Sequence, residues 1–104
     1  MLSGSGLMDA VRSWLAEQAA GMRGDGIGVE VREWFEGPGP GAVQLTLEIP
    51  LKAAEIMVWE DGNAELVFYD FESRTEVPEH RDIRSGADLE DALRVTAEWV
   101  GKQS

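Results

Sequence analysis

The 104-residue sequence predicts an α+β fold: an antiparallel four- to five-stranded meander sheet with N- and C-terminal helices packed on one face. Three observations carry this. Apolar residues recur at helical spacing near both ends of the chain. Between them lie segments that alternate apolar and polar residues with period two. The connections are short, which favours antiparallel neighbours over parallel crossovers. The length is that of one domain, residues 1–104.

The first helix is expected from about Gly6 to Met22. Leu7, Met8, Val11, Trp14, Leu15, Ala19 and Met22 form its apolar stripe. Ser5 is its candidate N-cap, and Asp9 in the first turn suits the helix dipole. Gly21, Gly24 and Gly26 end it. Gly24–Gly28 is glycine-rich but lies between a helix and a strand. Phosphate loops need the reverse order, so this segment reads as a helix stop and turn.

Ile27, Val29 and Val31 alternate with Gly28, Glu30 and Arg32 in the first strand. After the Gly37–Gly41 Gly-Pro loop, Val43, Leu45, Leu47 and Ile49 alternate with Gln44, Thr46 and Glu48, and Pro50 closes the segment. The third strand is about Glu55–Trp59 and the fourth about Ala64–Asp70, joined as a hairpin. A two-residue Asp-Gly turn would place Met57 and Trp59 on the face of Leu66 and Phe68. A three-residue loop, Glu60-Asp61-Gly62 with a left-handed Gly62, instead groups Ile56 and Val58 with Ala64, Leu66 and Phe68. The second register makes one face wholly apolar and is preferred. Thr75, Val77 and Ile83 are candidates for a short fifth strand, which Pro78 would confine to an edge.

The last helix starts near Ser85, with Ser85–Asp88 resembling a capping box. Leu89, Ala92, Leu93, Thr96, Trp99 and Val100 make its buried stripe, and Glu90–Arg94 and Glu98–Lys102 are i,i+4 pairs. Two helices can cover only one face of this sheet. The other should carry Glu30, Arg32, Trp34, Gln44, Thr46, Glu48, Met57, Trp59, Glu65, Val67 and Tyr69.

Charge narrows the function classes. The net charge is −11, from 20 acids and 9 bases, and residues 55–82 alone hold 9 acids against 2 bases. Nucleic-acid binding and polybasic membrane anchoring both need positive surface, so neither is expected. No apolar run reaches the ~18 residues of a membrane span, and no signal peptide is evident, so a cytoplasmic location is expected. Cysteine is absent, and no metal-ligand or cofactor motif is present; no cofactor is expected. His80, the single histidine, has no nucleophile motif beside it and reads as a solvated loop or edge residue, so an enzyme is not expected.

What remains is a binding surface. Trp34, Met57, Trp59, Val67 and Tyr69 would form an aromatic and apolar patch. Glu48, Glu60, Asp61 and Glu65 would supply charge around it. Such a face fits a basic protein partner, whose phosphate-binding or access site the carboxylates would occlude.

The chain resembles the TriTu-type immunity family of bacterial polymorphic toxin systems. The matching features are the N-terminal helix with Trp14, the Val43–Ile49 strand, the run from Ile56 to Leu66, Glu79-His80-Arg81, and an acidic-start final helix after Ser85. The Gly37–Gly41 loop has no counterpart in that pattern. The resemblance implies an α+β fold and inhibition of a cognate toxin by direct binding, and it assigns no binding residues. The competing reading is a small acidic secretion chaperone or adaptor, which would use the same face as the seam of a homodimer or as a client groove.

Overall fold

The computed structural model describes residues 4–34 and 41–101, without the side chains at positions 4, 5, 7, 8 and 19. Its elements are α1 (Gly4–Gly24), β1 (Gly28–Trp34), β2 (Ala42–Glu48), β3 (Lys52–Trp59), β4 (Asn63–Asp70), β5 (Thr75–Asp82) and α2 (Gly86–Gly101). The strands form one antiparallel sheet in the order β1-β2-β3-β4-β5, a five-stranded meander. Helix α2 lies across β3 and reaches β2 and β4, while α1 covers β1 and β2 and meets α2. Both helices therefore occupy one face.

The core lies between that face and the helices. Val43, Leu45 and Leu47 of β2, Ala54, Ile56 and Val58 of β3, and Ala64, Leu66 and Phe68 of β4 are buried against Val11 and Leu15 of α1. Leu89, Ala92, Leu93 and Val100 of α2 complete it. Burying each large aliphatic side chain contributes roughly 1.5–3 kcal/mol. Thr96 is fully buried on α2, and its hydroxyl donates to the Ala92 carbonyl at 2.8 Å, which satisfies the polar group inside the core.

Helix α1 begins at Gly4, so Ser5 lies inside its first turn and is not its cap. Asp9 falls in the second turn, where it accepts from Arg12 at 3.1 Å. The expected stripe positions Leu7, Met8 and Ala19 lie outside the described side chains. The helix ends in a Schellman motif: Ile27 N–H donates to the Met22 carbonyl at 2.9 Å and Gly26 N–H to Arg23 at 3.1 Å, with Gly26 at φ +85°. Gly24–Gly28 is thus a helix stop, as expected. Ser85 caps α2 by accepting from the Asp88 N–H at 3.2 Å, and Asp88 in turn accepts from the Arg84 N–H at 2.9 Å.

The β3–β4 hairpin adopts the three-residue register. Ile56 pairs with Leu66 and Val58 with Ala64, and Gly62 has φ +93°. β3 begins three residues earlier than expected, at Lys52. The fifth strand is real and eight residues long; it stops at Asp82, so the buried Ile83 lies just beyond it. Pro78 sits on this edge strand, opposite Val67.

On α2 the expected Glu90–Arg94 pair is replaced. Arg94 binds Glu98 at 2.7 Å and Asp91, because Asp91 also accepts from Arg81 of β5 at 2.7 Å and is held between the two guanidiniums. Lys102 lies outside the described residues. Trp99 is half-buried at the rim of the helical layer. Its ring centroid stands 5.5 Å from that of Phe68, its Nε1–H donates to the Tyr69 carbonyl at 3.1 Å, and Lys52 Nζ lies 4.6 Å from its ring. Trp14 also packs half-buried against the core.

Candidate functional site: the helix-free face of the sheet

Strand register fixes which side chains share the open face, because alternate residues point the same way. Its rows across the sheet read Trp34–Ala42–Trp59, then Arg32–Gln44–Met57–Glu65–His80, then Glu30–Thr46–Glu55–Val67–Pro78, then Gly28–Glu48–Ala53–Tyr69–Glu76. Asp82 shares this face beyond His80. Among the described residues the face carries Glu30, Glu48, Glu55, Glu65, Glu76 and Asp82, with Arg32 as its only Arg or Lys.

The sequence-predicted residues fall on this face in three groups. Met57, Glu65 and Val67 lie together at its centre, on β3 and β4, and Tyr69 follows Val67 on β4 in the end row that also holds Glu48. Trp34 and Trp59 flank the buried Ala42 at one end, about 10 Å apart by strand spacing. Trp34 is 44% exposed, whereas Trp59 is half-buried. Glu48 stands at the opposite end of β2. Glu60 and Asp61 belong to the hairpin loop beyond Trp59. Both are held by hydrogen bonds, Glu60 to the residue before β2 and Asp61 within the loop. The Glu60 carboxylate accepts from the Gly41 N–H while the Glu60 N–H donates to the Gly41 carbonyl at 2.9 Å. Asp61 accepts from the Asn63 N–H at 3.0 Å.

Glu55 is the residue that sequence reasoning missed. It sits on the central strand, held by Gln44 Nε2–H of β2 and by the Tyr69 hydroxyl of β4 at 3.4 Å. Both partners are neutral donors, so the carboxylate is positioned without being neutralised. Burial raises the Tyr69 pKa, as do the charges of Glu55 and Glu76 and the hydrogen bond to Glu55; the phenol therefore stays a proton donor. Extending the period-two alternation of β3 back from Met57 through Glu55 to Ala53 is the signal that would have found it.

The second unanticipated group lies at the β5 edge. His80 Nδ1 is 2.8 Å from Glu65 Oε1, and its Nε2 is 3.2 Å from Asp82 Oδ1. Hydrogen bonding to Glu65, then to Asp82, raises the His80 pKa above its usual value. His80 is half-exposed on an edge strand, in keeping with the solvated edge expected for it. The carboxylates of Glu48 and Glu76 have no hydrogen-bond or ion-pair partner among the described residues. Glu30 is paired with Arg32 at 2.9 Å.

Leu51 and Phe71 add apolar surface at the end of the sheet away from Trp59. Leu51 is 52% and Phe71 46% exposed, the Phe71 N–H donates to the Leu51 carbonyl, and Phe71 stacks on Tyr69 with centroids 6.5 Å apart. The face therefore has aromatic groups at both ends and carboxylates between. No group of His, Asp or Glu residues able to hold a metal ion occurs among the described residues. None of the described helices is long and apolar enough to cross a membrane.

The model of the family described as Immunity protein TriTu matches residues 9–99, from the second turn of α1 to the last turns of α2. No curated protein and no solved structure matches the chain.

Proposed function

The chain belongs to the TriTu family of immunity proteins, and we propose that it is a bacterial, cytoplasmic, non-catalytic inhibitor that neutralises a cognate toxin by direct binding through the helix-free face. The observation that carries this reading is the uneven covering of the sheet. Both helices pack on one side, and among the described residues the bare side holds six carboxylates against one guanidinium around Met57, Val67 and Tyr69. Such a face offers half-exposed apolar and aromatic side chains among carboxylates, and its charge suits a basic partner.

In this reading Met57, Val67 and Tyr69 form the desolvated centre, with Trp34 and Trp59 as anchors at one end. Glu55 and Glu65 meet cationic side chains of the toxin. Glu48, Glu60 and Asp61 line the rim, where charge steers encounter more than it holds the complex. Inhibition follows by occlusion: the carboxylates fill or block a surface that the toxin uses for its own anionic substrate.

The test is binding to the cognate toxin domain, sought among the reading frames that flank this gene and measured by calorimetry at about 50 and about 300 mM salt. Glu55→Lys and Glu65→Lys are expected to weaken binding at least about tenfold each, and Trp59→Ala by a similar factor. Higher salt is expected to weaken it as well. Glu90→Lys, exposed on α2, serves as the opposite-face control. If Glu90→Lys weakens capture and the three face variants do not, the surface is misassigned.

A further inference from the structure

The two edges of the sheet differ. β5 is blunted as an edge: Pro78 removes a backbone donor, and Glu76, Glu79, His80, Arg81 and Asp82 crowd it with charge. β1 is not. Gly28–Trp34 contains no proline and no lysine, carries Glu30, Arg32 and Glu33, pairs among the described residues with β2 alone, and leaves Val31 41% and Trp34 44% exposed. Such an edge is a template for another strand.

We infer that the occupant is a second copy of β1, paired antiparallel about a two-fold axis at Val31, so that two sheets join into one of ten strands. The sequence of the strand selects both the occupant and the register. Centring on Val31 sets Glu30 opposite Arg32 of the second copy, and by symmetry Arg32 opposite Glu30, giving two opposite-charge cross-strand pairs. It sets the exposed Val31 against its own copy. It also sets Trp34 opposite Gly28, where the indole can lie over a position that has no side chain. A Cβ built on Gly28 touches only Glu48 of β2, so the space above it is otherwise open. Moving the centre to Glu30 or to Arg32 places like charges face to face and loses all three matches. The pairing is isologous and closes at two copies, since each copy spends its one open edge. It leaves Met57, Glu55 and Glu65 uncovered and engages only the β1 end of that face, where Trp34 is shared with the proposed toxin surface; self-association is measured without the toxin, so its outcome does not depend on that reading.

The test is sedimentation velocity of the full chain at about 0.3 M salt, where a Debye length of roughly 6 Å screens the two net negative charges from each other. Wild type is expected to self-associate in the micromolar range as a dimer. Arg32→Glu sets like charges opposite each other at both places and is expected to weaken the dimer at least about tenfold. Glu30→Arg combined with Arg32→Glu restores the pairing and is expected to recover wild-type association within about threefold. Both side chains are exposed, and circular dichroism is the check that each variant stays folded. A wild-type chain that remains monomeric to about 1 mM overturns the inference. So does a dimer indifferent to Arg32→Glu, or one that the double exchange fails to rescue.

Discussion

Gly62→Ala tests the residue on which the composition of both sheet faces depends. Gly62 closes the three-residue β3–β4 loop at φ +93°, donates its N–H to the Trp59 carbonyl at 3.0 Å and accepts from the Ile83 N–H at 2.7 Å. A Cβ there would stand 2.7 Å from the Ile83 carbonyl oxygen, a backbone atom that cannot rotate away. Two costs follow. An L-residue in the left-handed region costs about 1–2 kcal/mol. Displacing the Ile83 backbone to relieve the overlap costs about 1–3 kcal/mol, and the stiffer unfolded chain returns about 0.4–1 kcal/mol. The net loss is about 1–4.5 kcal/mol, or a fall in Tm of roughly 4–36 °C for a domain of this size. Urea unfolding followed by circular dichroism measures it, with amide spectra checking that β3 and β4 keep their register. A loss below about 0.5 kcal/mol would refute the argument that the left-handed loop fixes the hairpin.

Gly21→Ala should act in the opposite sense, because an added Cβ meets nothing within 4 Å and the residue is helical. A gain of about 0.5–1 kcal/mol in urea unfolding is expected. Leu66→Ala empties a fully buried position on β4 and should cost about 2–5 kcal/mol by the same assay. His80→Gln should change the pH dependence of stability. Bonding to Glu65 and then Asp82 raises the folded pKa above the unfolded one, so the contribution is complete below about pH 6.5 and disappears as pH rises through the folded value. The variant is therefore expected to melt below wild type at about pH 5.5 and level with it near pH 9; an equal deficit at both would show that the ion pairs are not its source.

The parts of the fold that were legible in the sequence are those where burial dictates residue type. β2 alternates because one of its faces is packed under the helices, and Val43, Leu45 and Leu47 are almost fully enclosed. The hairpin register followed from one glycine and the requirement that a single face be apolar. β5 was only partly legible, since it packs under no helix and its residues are mostly exposed; its pairing with β4 rests on backbone hydrogen bonds, which leave little trace in side-chain pattern. The start of β3 was hidden for another reason. Ala53 and Ala54 are buried there, but alanine does not announce a strand. Losing those residues meant losing Glu55 as a central position. Arg94 could be read toward several acids one turn away, and only the presence of Arg81 from another element favours Asp91.

How the carboxylates of the open face are held decides what each can offer a partner. Glu30 lies against Arg32, so that pair presents little net charge. Glu65 lies against His80, whose protonation cancels part of its charge, making this side of the face less negative as pH falls. Glu55 is different. Gln44 and Tyr69 fix it from two neighbouring strands without neutralising it, and the raised Tyr69 pKa keeps the phenol a donor. A fixed anion loses less conformational freedom when a cationic side chain arrives than a free surface glutamate does. Glu55 should therefore contribute more to the lifetime of a complex than Glu48 or Glu76, whose carboxylates have no partner among the described residues and act mainly on its rate of formation. Removing the two donors while keeping the acid separates these contributions. Tyr69→Phe with Gln44→Leu is expected to raise the dissociation rate of the toxin complex while barely changing the association rate, whereas Glu48→Gln with Glu76→Gln is expected to slow association. Stopped-flow and surface-plasmon measurements distinguish the two patterns, and identical kinetic effects from both pairs would show that the hydrogen bonds to Glu55 do not preorganise it for binding.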